Sequence, residues 1–273
     1  SGGPVSDVSD SPNPADTGDD RRVWAIASVH GEAERLERLH HALLGRLQPG
    51  DRIVYLGNLI GRGPAIGAAI DRLLRFRRAV LAGQYSFACE LAYLRGSQEE
   101  MWQKLLQLQF APDPKGTVEW LLSRGVGPVL ETYGSSAIEA RRQAAAGPLG
   151  LTRWTNQLRA AIQARAGHVQ FYASLRRAAY THDGALLFVN SGLDPERPLE
   201  TQRDSFWWNS SAFERIDQPY GSYKKVVRGF DPAHPGLRAT DWTITVDGGA
   251  GYGGPLLAAC VGLDGQIIDH LEV

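Results

Sequence analysis

The 273-residue chain has no excess of charge of either sign: 29 basic and 30 acidic residues leave a formal net charge of −1. That balance removes any bulk electrostatic case for nucleic acid or an anionic membrane as a partner. Lysine is scarce, confined to Lys104, Lys115, Lys224 and Lys225; a bias of that kind reflects genome composition more often than chemistry. Cysteine occurs only as Cys89 and Cys260, each inside an apolar run. One disulfide could join them, but two buried free thiols in a reducing compartment fit the surroundings better. No stretch approaches the roughly 18 apolar residues of a membrane span, and no basic segment followed by an apolar one marks a signal peptide. The expectation is a soluble, cytoplasmic protein. Ser1-Gly2-Gly3 reads as a cloning remnant, so any native targeting segment lies outside this reading.

Hydrophobic content of 43% is enough for a sizeable core in one large domain or two small ones. Residues 1 to about 20 are rich in Gly, Ser, Pro and Asp with no basic side chain before Arg21, and Val5 and Val8 are their only sizeable apolar residues. Such a segment cannot bury enough surface to offset its ordering entropy and is expected to be a disordered tail, with one domain over 21–273.

From Arg22 onward the pattern is that of a parallel sheet covered by helices. Val23–Ala27 and Ile53–Leu56 are short continuous apolar runs, each followed by a helical pattern, and Ala79-Val80-Leu81 reads as a third such strand. Residues 85–177 carry apolar side chains at helical spacing with Gly and Pro breaks, which predicts a helical insertion. Strand patterns return at 178–182, 185–189, 224–227, 243–246, 256–261 and 267–271, and no internal repeat is present. Phe206-Trp207-Trp208 reads as core packing, or as a partner surface if exposed.

In an α/β sheet, sites form beyond the carboxyl ends of the strands. The loops there are Ala27-Ser28-Val29-His30-Gly31, Gly57-Asn58-Leu59-Ile60-Gly61-Arg62-Gly63, Gly83-Gln84-Tyr85-Ser86, Val189-Asn190-Ser191-Gly192-Leu193 and Gly229-Phe230-Asp231-Pro232. The chain closes on Val246-Asp247-Gly248-Gly249-Ala250-Gly251-Tyr252-Gly253-Gly254-Pro255-Leu256. In order and spacing these fragments resemble the calcineurin-like metallophosphoesterases, in the branch of bacterial diadenosine tetraphosphatases and phage-type Ser/Thr protein phosphatases. That family reads G-D-x-H-G, G-D-x-x-D-R-G, G-N-H-E, V-H-A-G-L, G-H-T-P and D-T-G-A-x-Y-G-G-x-L. The resemblance runs from about residue 22 to 273 and implies an α/β fold, a β-sandwich of mixed sheets flanked by helices with a helical cap.

It also implies two metal ions that polarise a phosphoryl group and supply a hydroxide, held by carboxylates and imidazoles. Carried over, those ligand positions are Ser28, His30, Asn58, Gln84, Asn190 and Phe230, of which only His30 keeps the family residue. The leaving-group acid falls at Tyr85, and the Asp that would orient it at Gly61. Asp231, His234 and Asp247 lie nearby but outside the ligand slots. Asn, Gln and Ser keep hydrogen-bonding capacity without charge, as suits a pocket that no longer faces cations. Arg62 matches the phosphate-binding Arg of the second motif and Arg228 flanks the last slot; each would bind an anion or sit in a salt bridge. The expectation is a catalytically inactive pseudophosphatase with no cofactor, a regulatory module for a protein partner and for a phosphate or nucleotide. The alternatives are a divergent phosphoesterase with an altered or single-metal site, acting on phosphoproteins or nucleotide polyphosphates, and a purely structural subunit.

Overall fold

The apolar runs that open the domain become neighbouring strands. The computed structural model describes residues 5–7, 22–83 and 90–273. Strand β1 (Val5–Asp7) precedes β2 (Arg22–Ile26), α1 (Ala33–Leu44), β3 (Arg52–Tyr55), α2 (Ile66–Leu81) and β4 (Glu90–Tyr93). Six helices follow: α3 (Ser97–Leu106), α4 (Pro114–Ser123), α5 (Gly127–Thr132), α6 (Ala137–Ala146), α7 (Pro148–Gln163) and α8 (His168–Ala173). The chain then forms β5 (Ala178–Tyr180), β6 (Leu186–Val189), α9 (Ser205–Trp208), α10 (Ser210–Phe213) and β7 (Lys225–Arg228). It finishes with β8 (Gly236–Ala239), β9 (Thr243–Asp247), β10 (Leu257–Gly262) and β11 (Ile267–Glu272).

The strands make two mixed sheets. One has five strands in the order β11-β10-β2-β3-β4, with β2, β3 and β4 parallel; the other has six in the order β1-β5-β6-β7-β9-β8, with β6, β7 and β9 parallel. Alternation along β6 shows how they stack. Leu186 and Phe188 join the main core with β2, β3 and β10, while Leu187 and Val189 pack on the opposite face with Phe206, Trp207 and Phe213. The result is the sandwich of mixed sheets flanked by helices that the sequence implied.

Three expectations differ from the structure. Residues 79–81 are the last turn of α2, not a strand: Ile66, Ile70, Leu73, Phe76 and Val80 are all buried along one side, and that 3.6-residue spacing runs through the short apolar run. The third parallel strand is β4, whose Leu91, Ala92 and Tyr93 pair with Ile53, Val54 and Tyr55. The helical insertion accordingly starts at α3 rather than at 85, because 90–93 belongs to the sheet. Val5–Asp7 is a strand paired in parallel with Ala178–Tyr180; main-chain bonding to an open sheet edge needs no apolar content. The rest of the expected tail, 8–20, lies outside the described residues. Cys260 is a buried free thiol, as expected, and Cys89 lies outside the described residues. No described helix is long and apolar enough to cross a membrane.

Candidate functional site

The loops after the parallel strands of both sheets meet. His30 N–H donates to the Asn58 carbonyl (2.8 Å), Ser28 N–H to that of Gly229 (3.1 Å), and Gly229 N–H to that of Asn190 (3.0 Å). These bonds bring Ser28, His30, Asn58, Asn190 and Phe230 to one place, with all but Phe230 fully buried. Among the described residues, four non-glycine residues have positive φ: His30 (48°), Asn58 (50°), Arg62 (58°) and His234 (47°). All four line this junction. Backbone of that kind is costly for a residue with a β-carbon, and it persists where the surroundings over-determine it.

The relocation of the third strand corrects one part of the site. Gln84 and Tyr85 lie outside the described residues, and the loop that leaves β4 is Leu94-Arg95-Gly96-Ser97-Gln98-Glu99. It is this loop that reaches the junction: Ser97 Oγ (3.3 Å) and Gln98 N–H (3.0 Å) donate to Asn58 Oδ1. By its Gly and Glu, Gly96-Ser97-Gln98-Glu99 is the segment that the resemblance would align with G-N-H-E, which would put Ser97 at its ligand position and Gln98 at its acid position. The signal was legible in the retained Gly and Glu, but the two residues that make the motif recognisable are the two replaced. Glu99 survives for structural reasons. Its carboxylate accepts from Asn58 N–H (2.7 Å), Gly96 N–H (2.8 Å) and Ile60 N–H (3.2 Å), clamping two loops together. Burial pushes its pKa up to about 7, with those three donors pulling the other way.

At each position that the resemblance marks as a metal ligand, the hydrogen bonds show what the side chain does. Asn58 Oδ1 caps the start of α3, and Asn58 Nδ2 is buried without a partner among the described residues. Asn190 Nδ2 donates to the Leu56 carbonyl (2.8 Å), and its Oδ1 accepts from Ser191 Oγ (2.9 Å). Ser28 Oγ is buried and has no partner among the described residues. Phe230 offers no lone pair. Its ring packs edge-on to His30 (5.7 Å) and His234 (5.6 Å). His30 Nδ1 lies 2.9 Å from the Ala250 carbonyl, which can only accept, so Nδ1 carries the proton and Nε2 the lone pair. Burial drives the His30 pKa down to about 3, with the Ala250 bond opposing and the charge of Arg62 adding to the fall. A divalent pair needs several anionic or imidazole donors converging on one point. At the marked positions His30 is the one imidazole, among amides bonded largely to main chain, and those residues do not fit two metals. Among the described residues no group of three or more His, Cys, Asp or Glu side chains is placed to hold a metal ion.

The Gln98 amide occupies the space beside Gly61, so that a β-carbon at 61 would collide with it. Gln98 Nε2 donates outward to the Arg124 carbonyl (2.7 Å), at the end of α4 in the cap.

Charge remains on the six-stranded side, internally matched. Arg228 is 1% exposed and donates to Asp231 (2.8 Å), Glu214 (2.7 Å) and Thr245 Oγ1 (3.0 Å), with its guanidinium 4.1 Å over the Phe213 ring. The expectation that Arg228 offers an anion site is thereby corrected: two carboxylates already hold it. Asp247, which the sequence placed outside the ligand slots, accepts from His234 Nδ1 (2.8 Å) and from the N–H groups of Asp231 and Gly249. Arg62 differs from both. It is exposed, stacks 3.8 Å over the Tyr252 ring, and makes no ion pair among the described residues.

Neither a family model nor a curated protein sequence matches the chain. Solved structures do. A protein provisionally assigned as a diadenosine tetraphosphatase covers 100% of this chain with 98% of its own, at 20% identity and a TM-score of 0.52. A Saccharomyces cerevisiae Ser/Thr phosphatase with similarity to human phosphatase PP5 covers 89% of this chain with 74% of its own, at 12% identity and a TM-score of 0.45. A metallophosphoesterase from Sphaerobacter thermophilus covers 92% with 87% of its own, at 16% identity and a TM-score of 0.43. The first of these, over its full length, shows that the chain has the metallophosphoesterase fold. At this identity the likeness is one of fold; what the site does rests on its own residues.

Proposed function

We propose that this chain is a pseudophosphatase: a metallophosphoesterase fold whose pocket no longer turns over phosphate esters and serves a regulatory, partner-binding role. The observation that carries the proposal is the interlock of Gln98 and Gly61. General-acid catalysis in this fold family needs an imidazole at the first position and a carboxylate to orient it at the second. Here an uncharged amide fills the carboxylate's place and spends its donor on the Arg124 carbonyl. The amides of Asn58 and Asn190 support the same reading, since both satisfy main-chain groups where cation ligands would stand.

The test is metal content and turnover measured together. Protein purified without chelator is expected to carry well below one equivalent of manganese, iron, zinc or nickel. With manganese added, it should hydrolyse neither a generic phosphomonoester nor a dinucleoside polyphosphate. Stoichiometric metal with hydrolysis that rises and falls with it would sink the proposal in favour of an altered-site phosphoesterase.

A further inference from the structure

We infer that the rim of the pocket is a docking surface for an acidic segment of a partner protein, an inference that rests on the regulatory reading above and names the partner's chemistry. Five side chains from four separate elements make the rim. Trp120 and Arg124 come from the last turn of α4 and the residue after it, Trp208 from the end of α9, Tyr252 from the β9–β10 loop and Arg62 from the β3–α2 loop. Trp208 is 38% exposed and Tyr252 41% exposed, and both guanidiniums face solvent. The group is continuous. The Trp120 and Trp208 rings lie 5.9 Å apart, Arg124 sits 5.7 Å from the Trp120 ring, and Arg62 N–H donates to the carbonyl of Gly125, next to Arg124. The charges of both arginines act on Tyr252, whose own pKa burial raises.

Charge decides the occupant. Neither Arg62 nor Arg124 has a carboxylate partner among the described residues, although acidic groups are close. Glu119, on α4 beside Trp120, is taken by Arg141 at 2.6 Å; Asp247 is taken by His234; Glu99 is buried under three backbone donors. Two unmatched guanidiniums set among two exposed aromatic rings and the half-buried Trp120 form a positive, amphipathic strip on a chain whose net charge is −1. Arginine forks match carboxylates bidentately, and Trp, Tyr and Arg are the residue types that dominate protein interfaces. The same composition could suit a nucleobase, but the ring geometry opposes it. Trp120 and Trp208 are tilted by 51° and offer no parallel slot, and Arg62 already covers one face of Tyr252.

The experiment uses the full chain as bait for a random peptide library displayed on phage, with the Arg62→Glu/Arg124→Glu variant as counter-target. Both substitutions are on solvent-facing side chains, and circular dichroism establishes that the variant is folded. The expected result is enrichment of peptides rich in Asp or Glu with at least one large apolar residue. A fluorescein-labelled selected peptide should bind at least about tenfold more weakly to Arg124→Glu and to Trp208→Ala, and should weaken with added salt. Its Gln-for-Glu version should not bind. Selection of neutral or basic peptides, no selection at all, or affinity unchanged in both variants overturns the proposal. So does tighter binding of single-stranded oligodeoxythymidine, or of a phosphopeptide whose unphosphorylated form is silent. Any of these outcomes leaves the metal and turnover result standing, so failure of the docking surface is distinct from failure of the pseudophosphatase reading.

Discussion

On the five-stranded side of the pocket, Ser28, Asn58, Ser97 and Gln98 are neutral, and their polar atoms either cap α3, bind main chain or go unpartnered. On the six-stranded side, Arg228, Asp231, Asp247 and His234 are ionisable, buried or nearly so, and matched in every direction. Both sides meet the same physical demand, since a buried charge without a partner is not tolerated. One side meets it mostly with neutral groups, its buried carboxylate Glu99 held by three backbone N–H donors, and leaves a few hydrogen bonds unmade among the described residues. The other meets it by pairing charges. The difference teaches where the molecule has slack: the neutral side is forgiving of polar deletion and hostile to added charge, and the paired side is the reverse.

The largest effect should come from breaking the paired side. Arg228→Ala strands Asp231 and empties the space over Phe213, and loss of one partner from a buried pair costs about 3–5 kcal/mol. Urea unfolding should show that loss, with part of it recovered in Arg228→Met/Asp231→Asn. A loss near zero would show that the pairing is incidental.

Next is charge forced into the neutral side. Gly61→Asp places a side chain where φ is +88° and where the Gln98 amide already lies. The expected cost is about 2–3 kcal/mol from strain and displacement. Adding Gln98→Ala should return part of it, a coupling read from the double-mutant cycle. Independent, additive losses would show that the two residues do not interlock.

Acid sharpens the contrast through His30. Its folded pKa of about 3 lies below the ordinary 6.5, so under acid the unfolded chain binds the proton and the folded chain does not. Stability is therefore full above about pH 6.5 and declines as pH falls, by up to about 2 kcal/mol for this residue between pH 7 and 5. His40, also lowered to about 3 by burial, adds a slope of the same sign. His30→Phe should flatten the unfolding-midpoint profile over that range relative to the parent chain; an unchanged profile would place the acid sensitivity elsewhere.

The smallest effect belongs to Ser28→Ala. The hydroxyl has no partner, so removing it should change stability by less than about 1 kcal/mol in either direction. A loss beyond about 2 kcal/mol would mean that Ser28 Oγ has a ligand.

How much of this was legible beforehand varies with the physics of each signal. Val23–Ala27 and Ile53–Leu56 are continuously apolar because β2 and β3 are covered on both faces, and such runs read plainly. Glu90-Leu91-Ala92-Tyr93 has little strand character of its own and follows a helix that ends in an apolar triplet, so the strand was placed eleven residues early. That slip moved the third motif with it. The neutral substitutions at 28, 58, 190 and 230 could be read one residue at a time. The matching of Arg228 to Glu214 and Asp231, and the exposure of Arg62 on Tyr252, depend on three-dimensional partners that no local pattern encodes.

The contact between Gly61 and Gln98 also limits what single changes can do. An Asp placed at 61 meets an amide already in its place, and a His placed at 98 finds no carboxylate to orient it. Neither step alone yields a working pair, and the first carries a penalty. Changes at 61 and 98 are thus coupled, and only a double change can set an imidazole against a carboxylate here.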